Sequence, residues 1–129
     1  EVVNVLVGAG AEVNKTNNFG DTPLHNASIN GRLEVVNVLV GAGAEVNKTN
    51  NDGGTPLHRA SRNDHLEVVN VLVAAGAEVD KTNIDGNTPL HRASRNGHLQ
   101  VIKALIRAKA DVRIENNQGN APVDVARTN

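Results

Sequence analysis

Apolar residues along the chain are grouped in short clusters that recur at a constant interval. The segment EVVNVLV occurs at residues 1–7, 34–40 and 67–73, and TPLH begins at residues 22, 55 and 88. Both recur every 33 residues, and the segment 19–51 is identical to 52–84 at 24 of 33 positions. Such self-similarity indicates a tandem repeat whose units bury their apolar faces against one another.

Each unit predicts a turn followed by two short helices. In the middle unit, Gly53-Gly54 suits a tight turn, because glycine adopts positive φ without a steric penalty. Thr55 then suits the N-cap and Pro56 the first position of a helix, where a missing N–H costs nothing. A second helix is predicted over residues 66–74, and Gly76 is expected to end it.

The valine-rich segment EVVNVLV favours a strand if β-propensity alone is considered. The repeat favours a helix instead, since valine costs a helix only about 0.5 kcal/mol relative to alanine. Packing against the next unit is expected to offset that cost, so we predict helices at these positions.

These units resemble the ankyrin repeat, a unit of about 33 residues with the signature T-P-L-H-x-A. The resemblance implies an all-α solenoid of stacked helix-turn-helix units with β-turn or hairpin tips. It also implies a non-enzymatic protein-interaction scaffold that holds a partner in a concave groove of tips and first helices. In this family the threonine and histidine of the signature are structural, which implies that role here for Thr22, His25, Thr55, His58, Thr88 and His91.

The repeat register divides the single domain into complete and partial units. The expected division is a half repeat (1–18), three full repeats (19–51, 52–84 and 85–117) and a C-terminal half repeat (118–129). The chain therefore reads as a fragment of a longer array, or as its ordered portion.

The two half repeats predict a weak head-to-tail association. The first supplies a second helix and the last supplies a first helix, so two molecules would together complete one unit. Residues 1–54 carry six acidic and three basic groups, whereas residues 86–129 carry seven basic and three acidic groups. A contact of this kind does not close on itself. The alternative is that both ends fray in solution.

Composition narrows the function classes. The chain has 129 residues, one aromatic residue (Phe19) and no cysteine, so disulfides and thiolate chemistry are excluded. A net charge of −1 argues against a general binder of nucleic acid or anionic membranes. No apolar run approaches the length of a membrane span, and no signal-peptide pattern opens the sequence. We expect a soluble, cytoplasmic protein.

Neither metal binding nor catalysis is predicted. No pair of the five histidines has i, i+4 spacing with an acidic partner, and no serine lies in a G-x-S-x-G motif. Glycines recur as turn residues rather than as a phosphate-binding loop. We therefore expect no catalytic residue, no metal and no cofactor.

A partner protein is expected to contact positions that differ between units, because structural positions should stay constant. The first helices differ at two positions on one face. These residues are Asn26, Arg59 and Arg92, and then Ile29, Arg62 and Arg95. Arginine suits carboxylate recognition, so the four arginines predict an acidic peptide or acidic patch as partner. The alternative is a solvated face with Asp64 and Asp85 as counter-charges.

The turn tips also differ between units and are candidate contacts. The tip candidates are Phe19, Asp21, Asp52, Ile84, Asp85 and Asn87. Phe19 is the better apolar anchor, although single exposed apolar residues are common. Two other interpretations stay open. The near-identity of two units favours a structural spacer or spring in a longer repeat protein, and a designed consensus-like array is a third interpretation.

Two positions depart from the repeat in a way that bears on stability. Asp64 replaces the glycine found at Gly31 and Gly97, and Lys109 replaces that at Gly43 and Gly76. If the backbone there is left-handed, each residue should cost about 1 kcal/mol relative to glycine.

Overall fold

The computed structural model describes residues 12–126, which fold as helices joined by turns, with no strand in this part of the chain. The seven helices described are α1 (Pro23–Ile29), α2 (Leu33–Gly41), α3 (Pro56–Arg62), α4 (Leu66–Ala74), α5 (Pro89–Arg95), α6 (Leu99–Arg107) and α7 (Pro122–Val125). The predicted all-α solenoid is confirmed, and its tips are turns.

The helices pack in two rows. The first helices of successive units, α1, α3, α5 and α7, contact one another, and the second helices α2, α4 and α6 form the other row. Leucines 33 residues apart fill the space between the rows, and the most buried of these are Leu24, Leu57, Leu72 and Leu105. A core without aromatic side chains is sufficient because each unit shares its leucines with its neighbours.

Each complete first helix begins with the same reciprocal cap. In α3, Thr55 is the N-cap, its hydroxyl accepts the backbone N–H of His58, and Pro56 follows at the first helical position. The His58 ring in turn accepts the Thr55 backbone N–H through Nδ1, at 3.1 Å. The same arrangement opens α1 and α5. The helix start is therefore determined within four consecutive residues.

The two valine-rich segments in the described part of the chain, 34–40 and 67–73, are helical, as the repeat predicted and β-propensity did not. The prediction for residues 1–7 lies outside the described residues. In α4, Val68, Val69 and Leu72 are buried against the neighbouring units, so burial offsets the weak helix propensity of valine. Beyond the helix end, Gly76 adopts φ 98° and the Ala77 N–H donates to the Leu72 carbonyl at 3.0 Å. This left-handed ending satisfies carbonyls that the helix itself leaves free.

An asparagine closes each turn tip. Asn50 Oδ1 accepts the backbone N–H groups of Asp52 and Gly54, at 3.0 and 2.9 Å. Gly53 adopts φ 75°, as the turn requires, whereas Gly54 lies outside the left-handed region. Asn17, Asn83 and Asn116 hold the equivalent position. The tips are thus Asx-type turns rather than glycine-pair turns.

The two non-glycine residues at repeat glycine positions are left-handed. Asp64 has φ 62° and Lys109 has φ 74°, and they are the non-glycine residues with positive φ in the described part of the chain. None of the described helices is long and apolar enough to cross a membrane.

Candidate interaction surface

The signature histidines connect each unit to the next. His58 Nε2 lies 2.8 Å from the Asn87 carbonyl oxygen, and His25 Nε2 lies 3.0 Å from that of Gly54. A carbonyl only accepts, so Nε2 carries the proton and Nδ1 is left to accept the cap N–H. His91 makes the equivalent contact with Asn120. The geometry accounts for a structural role for these side chains.

Burial keeps the ring of His58, the histidine of the middle unit, uncharged at neutral pH. Removal from water lowers the pKa of His58 from 6.5 to about 4, against the opposing effect of its hydrogen bond to Asn87. Burial likewise lowers the pKa of His25. A neutral ring suits the observed tautomer, since a protonated Nδ1 has no lone pair with which to accept the cap N–H.

The remaining two histidines also bridge neighbouring units. His65 Nε2 lies 3.1 Å from the Ile29 carbonyl oxygen, and His98 Nε2 lies 2.8 Å from that of Arg62. Within residues 12–126, no three histidine or acidic side chains come together in a way that suits a metal ion.

The serines after the signature lie inside the stack. Ser28 and Ser61 have no exposed surface, Ser94 is buried as well, and all three are on first helices. A nucleophile must reach its substrate, and the hydroxyls of Ser28 and Ser61 are fully buried.

Arg59 is already paired within the protein. Its Nη2 lies 3.0 and 3.2 Å from the two carboxylate oxygens of Asp21, which belongs to the tip of the preceding unit. Asp21 is 6% exposed and also accepts a hydrogen bond from Asn50 Nδ2 at 2.9 Å. The counter-charge of Arg59 is therefore Asp21 rather than Asp64 or Asp85. The charges of Arg59 and Asp21 are thus satisfied within the protein.

The other three arginines form no salt bridge among the residues that the structure describes. Arg62 and Arg95 are exposed, and Arg92 is half-buried between them. Burial, together with the positive charges of Arg62 and Arg95, lowers the pKa of Arg92, while Asp85 and Asp52 act in the opposite direction. Three cations thus lie close together on α3 and α5, and we call them the arginine cluster.

An open polar pocket adjoins this cluster. Its volume is about 360 Å³, and its wall includes Arg92 and Arg95. The other lining residues come from two tips, and they are Asp85, Asn87, Asn116, Asn117 and Gln118. The pocket offers hydrogen-bond donors and acceptors rather than apolar surface.

The tip candidates fall into exposed and buried sets. Phe19 and Ile84 are 71% and 66% exposed, and Asp52 and Asp85 are exposed as well. Asn87 is instead 8% exposed, and its Oδ1 accepts a hydrogen bond from Asn116 Nδ2 at 2.9 Å. The side-chain oxygen of Asn87 is thus also satisfied within the protein. On α1, Asn26 is exposed and Ile29 half-buried.

The tip asparagines are the residues that sequence reasoning missed. Asn50, Asn83 and Asn116 are buried, and each accepts backbone N–H groups of its own tip. Asn50 and Asn116 also donate to a side chain of the preceding tip. The signal for this role in the sequence is the constant asparagine at a spacing of 33 residues.

The paired helices, the left-handed endings and the histidines that bridge units define a helix-turn-helix repeat solenoid. A family model described as "Ankyrin repeats (3 copies)" matches residues 1–83, and one described as "Ankyrin repeats (many copies)" matches residues 63–106. The chain belongs to the ankyrin repeat family. A search of curated proteins finds no match. Ankyrin repeats generally mediate protein–protein interaction and are generally non-enzymatic.

The predicted head-to-tail contact would join the half repeats 1–18 and 118–129, of which residues 1–11 and 127–129 lie outside the described residues. It stays a prediction.

Proposed function

We propose that this chain is a non-enzymatic interaction scaffold that binds an acidic protein partner on the concave face of its tips and first helices. The proposed surface consists of the arginine cluster, the exposed face of α1 and the exposed tip residues. Family membership supports the general role, since ankyrin repeats typically bind other proteins.

The observation that carries the proposal is the difference between Arg59 and the arginine cluster. The positive charge of Arg59 is neutralised by Asp21, whereas Arg62, Arg92 and Arg95 form no salt bridge within the described part of the chain. Three neighbouring cations repel one another, and an acidic partner relieves that repulsion. Phe19, exposed on a tip, adds an apolar contact to the same surface.

Other partner classes are less favoured. The net charge of −1 gives no overall attraction to nucleic acid or to an anionic membrane. The three arginines are instead a local feature, suited to carboxylates on a protein surface. We place this activity in the cytoplasm, where a cysteine-free chain needs no oxidising compartment to fold.

The test is affinity capture from a lysate of the source cells with three baits. These are the wild type, a triple variant of the arginine cluster (Arg62→Glu, Arg92→Glu, Arg95→Glu) and a matched control (Arg32→Glu, Lys103→Glu, Arg107→Glu). The control removes three exposed cations on or beside the second helices, so its net charge equals that of the cluster variant. Arg59 is retained in both variants because its pairing with Asp21 is part of the fold.

We expect a protein that is captured by the wild type and the control but lost by the cluster variant, after circular dichroism shows that all three baits are folded. Capture that is equal for the two variants would contradict the proposed surface. It would favour the spacer interpretation, in which the stack acts as a structural segment of a longer repeat protein.

A further inference from the structure

We use the term junction for the place where one turn tip contacts the next. Two successive junctions differ by one carboxylate. At the first junction, Asp21 of one tip accepts hydrogen bonds from Asn50 of the next tip and from Arg59 of the helix that follows it. Asn50 and Arg59 therefore both donate hydrogen bonds to the same buried carboxylate. This junction serves as an internal reference for what the repeat geometry does with a carboxylate at that position.

The second junction keeps both donors but lacks the carboxylate. Residues 33 positions further along the chain are Gly54 in place of Asp21, Asn83 in place of Asn50 and Arg92 in place of Arg59. Asn83 is 9% exposed, and its Oδ1 accepts the N–H groups of Asp85 and Asn87 as Asn50 Oδ1 does at its own tip. Among the residues that the structure describes, Asn83 Nδ2 donates no hydrogen bond within the protein and Arg92 forms no salt bridge, although Asp85 and Asp52 lie near enough to favour its charge.

The third junction shows that the asparagine normally finds an acceptor. There Asn116 Nδ2 donates to Asn87 Oδ1 at 2.9 Å. Of these three equivalent buried asparagines, Asn83 alone has a glycine, Gly54, at the position 29 residues before it, where the other two have Asp21 and Asn87. Asn83 Nδ2 is not one of the fully buried polar atoms that lack a partner, so it reaches solvent and is free to donate to a ligand. A half-buried cation without a paired anion costs free energy.

We propose that Arg92, Asn83 and Gly54 form a binding site for the carboxylate of an aspartate or glutamate side chain of the partner protein. The partner's carboxylate takes the place that Asp21 holds at the preceding junction, where it accepts from Asn83 Nδ2 and from the Arg92 guanidinium. Arg62 and Arg95 add attraction around the site. This inference rests on the proposed function, and it specifies the chemical group of the partner that is bound.

The absence of a side chain at Gly54 is what opens the site. A Cβ at this position would approach Asn50 no closer than 3.4 Å, an ordinary contact, and φ is not in the left-handed region. The backbone at position 54 therefore accepts a Cβ without strain, as an aspartate requires. The variant Gly54→Asp should fill the site from within, as Asp21 does at the junction before.

The direct test is NMR of the ¹⁵N-labelled chain during titration with a hexaglutamate peptide. We expect the side-chain NH₂ signals of Asn83 to shift, and those of Asn50 and Asn116 to stay, because the latter two already have acceptors. Hexaglutamine should leave all three unchanged. Absence of an Asn83 shift at high hexaglutamate concentration would overturn the site.

Two opposite variants make the test specific. Gly54→Asp should weaken hexaglutamate binding at least about tenfold, given the strength of hydrogen bonds to charged groups, and should raise the melting temperature. Asp21→Gly should release Asn50 and Arg59, so that the Asn50 side-chain signals begin to respond. Retained Asn83 shifts in Gly54→Asp would overturn the proposal.

A charge-matched control separates site filling from general repulsion. Asn18→Asp adds the same charge to an exposed tip position and should bind hexaglutamate like the wild type. Equal loss in both variants would overturn the site. The outcome is independent of affinity capture. Partner loss by the cluster variant without any Asn83 response would remove the site alone, and an Asn83 response without partner capture would remove the proposed function alone.

Discussion

At the scale of single residues, the repeat is broken at two backbone positions that are left-handed. Asp64 and Lys109 adopt φ 62° and 74°, where a Cβ is sterically unfavourable. The equivalent residues in other units are glycines. Neither substitution changes the chain path, so the units absorb the strain locally.

Replacement of these residues by glycine should stabilise the protein. Lys109→Gly and Asp64→Gly are each expected to raise the free energy of unfolding by up to about 1 kcal/mol, which corresponds to about 4 °C in melting temperature. Differential scanning calorimetry measures the shift. Lys109 gives the cleaner result, because Asp64 also lies 3.8 Å from the His98 ring.

The reverse change provides the control. Gly76 is the equivalent of Lys109, has φ 98° and has open space where a Cβ would be, so backbone strain is the main effect of a side chain there. Gly76→Lys should lower the melting temperature by a similar amount. A lysine tolerated at Gly76 without loss would contradict the strain argument.

Local sequence predicts the helix caps of this chain, but neither the asparagines that close its tips nor the environment of its arginines. The segment PLHRASR is identical at residues 56–62 and 89–95, yet Arg59 is paired and Arg92 is not. The difference arises at Asp21 and Gly54, each 38 residues before its arginine. Their proximity depends on how one unit stacks on the next, and sequence spacing alone does not give that geometry.

Among the helices, the reciprocal cap is the feature that sets where each first helix begins. Threonine and proline were recognisable from sequence because their effects are local. The second hydrogen bond of the histidine ring was not, since its acceptor lies 29 residues further along the chain. One histidine side chain therefore both caps the start of its helix and contacts the next unit.

Loss of the threonine hydroxyl should weaken this element measurably. Thr55→Val keeps the side-chain shape but leaves the His58 backbone N–H without its acceptor, and it removes a hydroxyl that lies 2.9 Å from His58 Nδ1. We expect a loss of roughly 1–2 kcal/mol in chemical denaturation. Thr55→Ser retains the hydroxyl and should lose much less. Equal losses would show that packing rather than capping matters at this position.

At the scale of the whole molecule, the buried histidines make the stability of the stacked units depend on pH. In the native state the pKa of His58 is about 4, below its ordinary value of 6.5, so the unfolded chain binds more protons between these values. The stabilisation is complete above pH 6.5 and is lost as the pH falls towards 4, with a contribution from His58 of at most roughly 3 kcal/mol. His25 acts in the same direction.

The melting temperature should therefore fall steadily as the pH decreases from 6.5 towards 4. Thermal unfolding at closely spaced pH values measures this, and NMR titration of the His58 ring assigns it. Constant stability across that range, or a His58 ring that titrates near 6.5, would contradict the buried neutral tautomer.

The central claim is that the partner lies on the tips and first helices. Hydrogen exchange of the chain, free and bound to its captured partner, tests this most directly by mass spectrometry. We predict slower exchange on binding within residues 50–63 and 83–96, and unchanged exchange in the second helices α2 and α4. Protection confined to the second helices would contradict the account.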